Sequence, residues 1–190
     1  MDFEKLSAER RTIRRFRREA LPDEEIRRLL DAARYASCAS NRQILRYAVI
    51  RREPLLKEVF DRVAWARLVA PRRTPAWAVD APPCFIAVIA PRDGGALVMA
   101  DAGAAVQSME LAGWARGIGC CWFASFDPEK VSGLLKLPED KRVLFLVATG
   151  YPAESPVAEE AAGGDVRYYL DGEDRLHVPK LPLNEIVQWM

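Results

Sequence analysis

Six arginines fall within residues 10–18, interleaved with Thr12, Ile13 and Phe16. If the segment is extended, Arg10, Thr12 and Arg14 alternate and share one side. Two guanidiniums and a hydroxyl converging on one side suit a phosphate group, which accepts bidentate arginine contacts. Two other readings stand beside it: a solvated charged face and a nucleic-acid patch. Asn41 and Gln43 also alternate, just before a strand-like run. Their amides carry both donors and acceptors, which suits the edge of a planar heterocycle. Taken alone, they read as turn and surface residues.

Other familiar chemistries lack their residues. Gly117-Ile118-Gly119 has no third glycine and precedes a strand, so it is not a dinucleotide fingerprint. No GxSxG, HExxH or Walker pattern occurs. The lone His177 has no Ser or Cys partner in the sequence and reads as a solvated or satisfied side chain. Cys120 and Cys121 would point to opposite faces of a strand, as core thiols and not a redox pair. Cys38 lies in a run of small, turn-forming residues.

The elements that must position these groups follow from pattern. Asp2 caps a short helix, and Pro22-Asp23-Glu24-Glu25 opens another that buries Ile26, Leu29, Leu30 and Ala33. Tyr47–Ile50 reads as a strand, and residues 54–69 as a helix with Leu55, Val59, Val63 and Ala66 on one face. Four prolines make 70–83 a long irregular connection of the kind that can cover a site, and Trp65 before it and Trp77 within it read as packing residues, with a lid role as the alternative. Cys84–Ala90 is a continuous apolar run, predicted as a central strand buried on both faces. Asp101 opens a helix rich in small residues that ends at Gly117–Gly119. Cys120–Phe123 and Val143–Ala148 are strands, and Asp127-Pro128 is an N-cap with proline behind it. The tail, about 153–190, is predicted as an arm that packs on a partner subunit. Helices and strands mix without strict βαβ alternation, so the class is α+β.

The chain has 190 residues, a net charge of +1, 50% hydrophobic residues and 29% charged residues. That describes one globular domain over 1–190 and argues against a globally basic nucleic-acid binder. No apolar run reaches the roughly 20 residues of a membrane span. The charged N-terminus does not read as a secretory signal, and four unpaired cysteines suit a reducing compartment, so a cytoplasmic location is expected.

The motifs also stand in a known order. Arg10–Phe16 resembles the RRSxRxF opening of the FMN-dependent nitroreductase family, and Ala36–Gln43 resembles its APSAxNxQPW segment. Asp101–Gln107 is similar to its central helix, and Gly117–Trp122 to the GLGxCW that follows. Phe126–Val131, Gly150-Tyr151-Pro152 and Val178–Val187 complete the set. The resemblance implies a nitroreductase-like α/β/α sandwich with a mainly antiparallel central sheet, and an intertwined homodimer with FMN at the interface. It implies that Arg10, Arg11 and Thr12 hold the phosphate and ribityl end, joined by Lys180, with Arg14 at the pyrimidine edge of the flavin. Cys38, Ala39, Ser40, Asn41 and Gln43 would line the ring, and Ala124 and Ser125 its other side. No side chain is expected to be catalytic in its own right. NADH or NADPH would donate electrons and a nitroaromatic, quinone or similar acceptor would take them, in ping-pong order. The sequence departs from the family pattern at Thr12, Ser37, Cys38, Ile44, Leu45 and Val178. Those changes leave room for a flavin-destroying or reductive dehalogenase type, or for a flavin-binding protein without turnover.

Overall fold

A computed structural model describes Asp2–Met190. Four strands form the main sheet: β1 (Arg46–Ile50), β2 (Cys84–Pro91), β3 (Gly119–Phe123) and β4 (Lys141–Gly150), in the order β1-β2-β4-β3 and antiparallel throughout. The apolar run at 84–90 therefore lies inside the sheet, as its continuous hydrophobicity predicts. Its side chains alternate between two cores. Phe85, Ala87 and Ile89 join one, and Cys84, Ile86 and Val88 the other. Cys120 and Cys121 divide between the same two cores.

One face of the sheet is covered by α2 (Asp23–Arg34) and α4 (Gly95–Trp114), the other by α3 (Leu55–Phe60) and α5 (Pro128–Leu134). The architecture is thus α+β with an α/β/α layering. Asp127 Oδ1 accepts from the Glu129 and Lys130 N–H groups, the cap expected of an Asp-Pro start. In α2, Ile26, Leu29 and Ala33 are buried, while Leu30 is only half-buried. Helix α1 (Phe3–Glu9) follows Asp2, whose side chain makes no capping hydrogen bond.

Three expectations need correction. The helix predicted over 54–69 stops at Phe60. Beyond it, the Ala64 N–H donates to Ser125 O at 2.9 Å, and Trp65 packs on Phe60 and Phe123 at centroid distances of 5.5 and 4.7 Å. That aromatic anchor outweighs the helical spacing of Val63 and Ala66. Helix α4 begins at Gly95, so Asp101 lies within it and does not open it. The tail is not a bare arm: β5 (Val157–Glu160), β6 (Tyr169–Leu170) and β7 (Leu176–Lys180) form a sheet of their own in the order β5-β7-β6. After it comes the short α6 (Leu183–Ile186). Among the described residues no helix is long and apolar enough to cross a membrane.

His177, in β7, is satisfied on both sides. Its Nδ1 lies 2.7 Å from Glu159 Oε2, its Nε2 lies 3.0 Å from Asp171 Oδ2, and its ring stacks on Tyr169. The hydrogen bonds to Glu159 and then Asp171 raise the imidazole pKa, while the same bonds help depress both carboxylates. A raised histidine stabilises fully below its unfolded value of about 6.5, and this is lost as pH rises through the folded value. The carboxylate contributions are lost at the other end, as pH falls through their lowered values. Wild type should therefore lose more thermal stability than His177→Gln between pH 6 and pH 9. Parallel melting curves for the two proteins would refute this reading.

Candidate cofactor site

The arginine segment is extended, as its alternation requires. It lies along the free edge of β3: Thr12 bridges Cys120 in parallel, and the Ile13 N–H donates to Cys120 O at 2.9 Å. Gly119 makes this docking possible, because a Cβ there would meet Ile13 Cβ at 2.7 Å. Arg10, Arg11, Thr12 and Arg14 then line a cavity of about 80 Å³. The opposite wall comes from Tyr168, Leu176, Val178 and Lys180. Arginines near the start of the chain and the lysine near its end thus line one cavity.

The partners of these cations differ. Arg10 Nη1 lies 3.2 Å from Glu110 Oε2, a buried acid on α4. Burial raises the Glu110 pKa, and Arg10 opposes that rise. Arg11 donates through its two Nη atoms to the Arg10 and Ala8 carbonyls at the end of α1, and its buried Nε has no partner. Burial, then the neighbouring Arg10 charge, lowers the Arg11 pKa. Arg14 lies over the Tyr168 ring, 5.5 Å from its centroid. Cations gathered this densely, one with an orphaned buried N–H, fit a strongly anionic group such as a phosphate.

The residues expected at a flavin ring lie elsewhere. Cys38 and Gln43 line a second, larger cavity of about 810 Å³ between α2, β1 and α4, with Ser37, Ile44, Leu45 and Tyr47. Ala39–Asn41 form a 3-10 turn held by the buried Asp101, whose Oδ1 accepts from the Ala39 N–H at 2.8 Å. Ser40, Asn41 and Gln43 all take positive φ, between 48° and 52°. That conformation is uncommon outside glycine, and strain of this kind concentrates where a site must be held. Gln43 Nε2 donates to Asn41 Oδ1 at 3.0 Å. Ala124 and Ser125 line neither cavity; the Ser125 hydroxyl donates to Ala64 O at 3.1 Å.

The two cavities share no lining residue. On the phosphate side Arg10 attaches to α4 at Glu110, and the ring-side turn attaches at Asp101. Nine helical positions separate those anchors, which is about 14 Å along the axis and about half a turn around it. Burial pushes the Cys84, Cys120 and Cys121 pKa values up to about 12, which favours the protonated thiol at each. The residues that pattern reading missed are Glu110, Asp101 and Tyr168. Only the two acids Glu110 and Asp101 inside a largely apolar helix could have signalled two of them.

The nitroreductase family model matches residues 8–151. This chain belongs to the nitroreductase family. The family and the names of its relatives support an NAD(P)H-dependent oxidoreductase. Within that span this family member carries Arg10–Arg14, Cys38–Gln43 and Ala124–Ser125; Tyr168 and Lys180 lie beyond it. An Archaeoglobus fulgidus protein, assigned by name to the NADH dehydrogenase/NAD(P)H nitroreductases, is 30% identical over 175 residues, covering 90% of this chain and 94% of the relative. An NADH dehydrogenase of Thermus thermophilus is 31% identical, covering 81% and 88%. In fold, this family member is similar to a Desulfovibrio desulfuricans nitroreductase crystallised with FMN, with a TM-score of 0.72 at 24% identity, covering 100% and 97%. It is also similar to the FMN- and NADPH-dependent nitroreductase NfnB of Sphigopyxis sp. strain HMH, with a TM-score of 0.73 at 19% identity, covering 100% and 99%.

Proposed function

We propose that this nitroreductase-family chain holds FMN between two copies of itself and uses it to pass electrons from NADH or NADPH to a small acceptor such as a nitroaromatic or a quinone. The observation that carries the reading is the convergence of Arg10, Arg11, Thr12, Arg14 and Lys180 on one small cavity. That cavity has room for a phosphate but not for a tricyclic ring. The ring-side residues lie about half a turn away around α4, so a second copy is the source that would bring them to the first. Exposed apolar groups favour such a copy. On α4 these are Leu97 and Met99, and at the C-terminus Leu183, Ile186 and Trp189, which is 89% exposed.

Bound FMN would supply two-electron chemistry, with donor and acceptor using the site in turn. The protein's part is binding and electrostatics. Arg10, Arg11 and Lys180 would neutralise a phosphate carrying close to two negative charges, and Thr12 would offer it a hydroxyl donor. Arg14 would present a fixed cation to the pyrimidine edge, where charge accumulates on reduction, with no reorganisation needed. Cys38, Ala39, Ser40, Asn41 and Gln43 of the second copy would line the ring, and Ala124 and Ser125 would approach it through backbone groups. A second reading, a flavin-destroying or dehalogenating relative, rests on Ile44 and Leu45, which line the larger cavity and depart from the family pattern.

Purified protein, reconstituted with FMN if needed, should be yellow, sediment as a dimer, and bleach anaerobically on addition of NADH or NADPH. Nitroaromatic or quinone turnover would then separate the first reading from the second. A protein that stays colourless after reconstitution refutes both.

A further inference from the structure

Glu154 follows β4 by four residues and is buried, as is Arg73 in the irregular 70–83 connection. Their side chains are only 2% and 5% exposed. Glu154 Oε1 accepts from the Arg14 N–H and, at 3.1 Å, from the Arg15 N–H. Its other oxygen faces Arg73 Nη1 at 3.0 Å. The second tip of the Arg73 fork, Nη2, donates to the backbone carbonyl of Asp174. Asp174 sits at the turn between β6 and β7 with φ +61°. Its carboxylate also meets Arg72 Nη2 at 2.8 Å and Arg15 Nη1 at 3.3 Å, and Arg15 Nε reaches Asp80 at 3.1 Å.

A buried ion pair adds little net stability, because desolvating two charges offsets most of their attraction. What a planar guanidinium does well is hold two partners at a fixed separation. The two partners here are each tied to a segment that lines one side of the cavity, without lining it themselves. One is the carboxylate that clamps the backbone of Arg14. The other is the turn from which β7 carries Val178 and Lys180 to the same cavity.

We infer that Arg73 is a positioning residue of the cofactor site, registering the Arg14 segment against the Lys180 hairpin through Glu154 and Asp174. It touches neither cavity wall itself. The inference rests on the flavin reading above for its functional meaning, but the coupling can be measured without a cofactor.

The test compares wild type, Arg73→Lys and the double variant Arg73→Met/Glu154→Gln. The double variant leaves no buried charge unpaired and keeps a side-chain oxygen for the Arg14 and Arg15 N–H groups, so it should fold. In the cofactor-free protein, amide exchange at Arg14, Arg15 and Lys180 should quicken about tenfold, with β2 and β4 unchanged. FMN affinity should fall about tenfold in the double variant and less in Arg73→Lys. The flavin midpoint potential should fall, because a loosened Arg14 cation stabilises the reduced flavin less. Wild-type exchange at Arg14 and Lys180 in both variants overturns the coupling, whatever the flavin does. Quickened exchange with wild-type FMN affinity and potential reduces Arg73 to a purely structural ion pair and overturns its positioning role. Failure of wild type itself to take up FMN overturns instead the flavin reading.

Discussion

Arg10→Ala is expected to weaken FMN binding roughly ten- to hundredfold, the loss of one charge-assisted contact worth about 1.5–3 kcal/mol. It should also destabilise the apoprotein, for a separate reason. Arg10 is 22% exposed and its partner Glu110 only 5%, so removing the cation strands a buried carboxylate. Breaking a fully buried pair costs about 3–5 kcal/mol; with one member partly exposed, about 2–3 kcal/mol is expected here. The deficit has a predictable pH dependence. Burial already raises the Glu110 pKa, and loss of Arg10 removes the opposing influence. An acid whose folded pKa is raised stabilises at low pH and loses this as pH rises through that value. The Arg10→Ala deficit should therefore be smaller at pH 5 than at pH 8. Adding Glu110→Gln should restore the melting temperature but not the FMN affinity. If the double variant regained both, Arg10 would act through folding and not through the phosphate.

Gly119→Ala should be nearly as damaging, with no charge involved. The new Cβ would meet Ile13 Cγ1 at 2.5 Å and Ile13 Cβ at 2.7 Å. Ile13 is fully buried and its N–H is tied to Cys120 O, so it cannot swing aside. Overpacking of this kind costs about 1–3 kcal/mol, or about 5–10 °C in melting temperature near the upper end. The displaced segment is the one that carries Thr12 and Arg14, so FMN affinity should fall as well. Shortening Ile13 to alanine in the Gly119→Ala background should recover part of the affinity. No recovery would mean that the arginine segment does not depend on this close approach.

Both predictions concern features that pattern reading only half revealed. The Gly-Ile-Gly run is visible as a helix stop, and Gly117 does take positive φ, at 72°. Nothing local shows that its neighbour Gly119 is needed by Ile13, more than a hundred positions earlier. The helix expected over 54–69 ends at Phe60 for the same kind of reason. Helical spacing is a local signal, and the contact of Trp65 with Phe123 is not.

The amino-acid order alone carries the strands, the α+β class, the extended arginine segment and the family likeness, because each rests on short-range periodicity, turn chemistry and motif order. Folding added the pairing of Arg10 with Glu110, the clamp of Glu154 on Arg14, the ordered sheet of the tail and the division of the site into two halves across α4. These depend on which distant segments share a buried environment, where an unpaired charge is costly and a single methyl group can be too large. Neighbouring residue types do not encode such conditions.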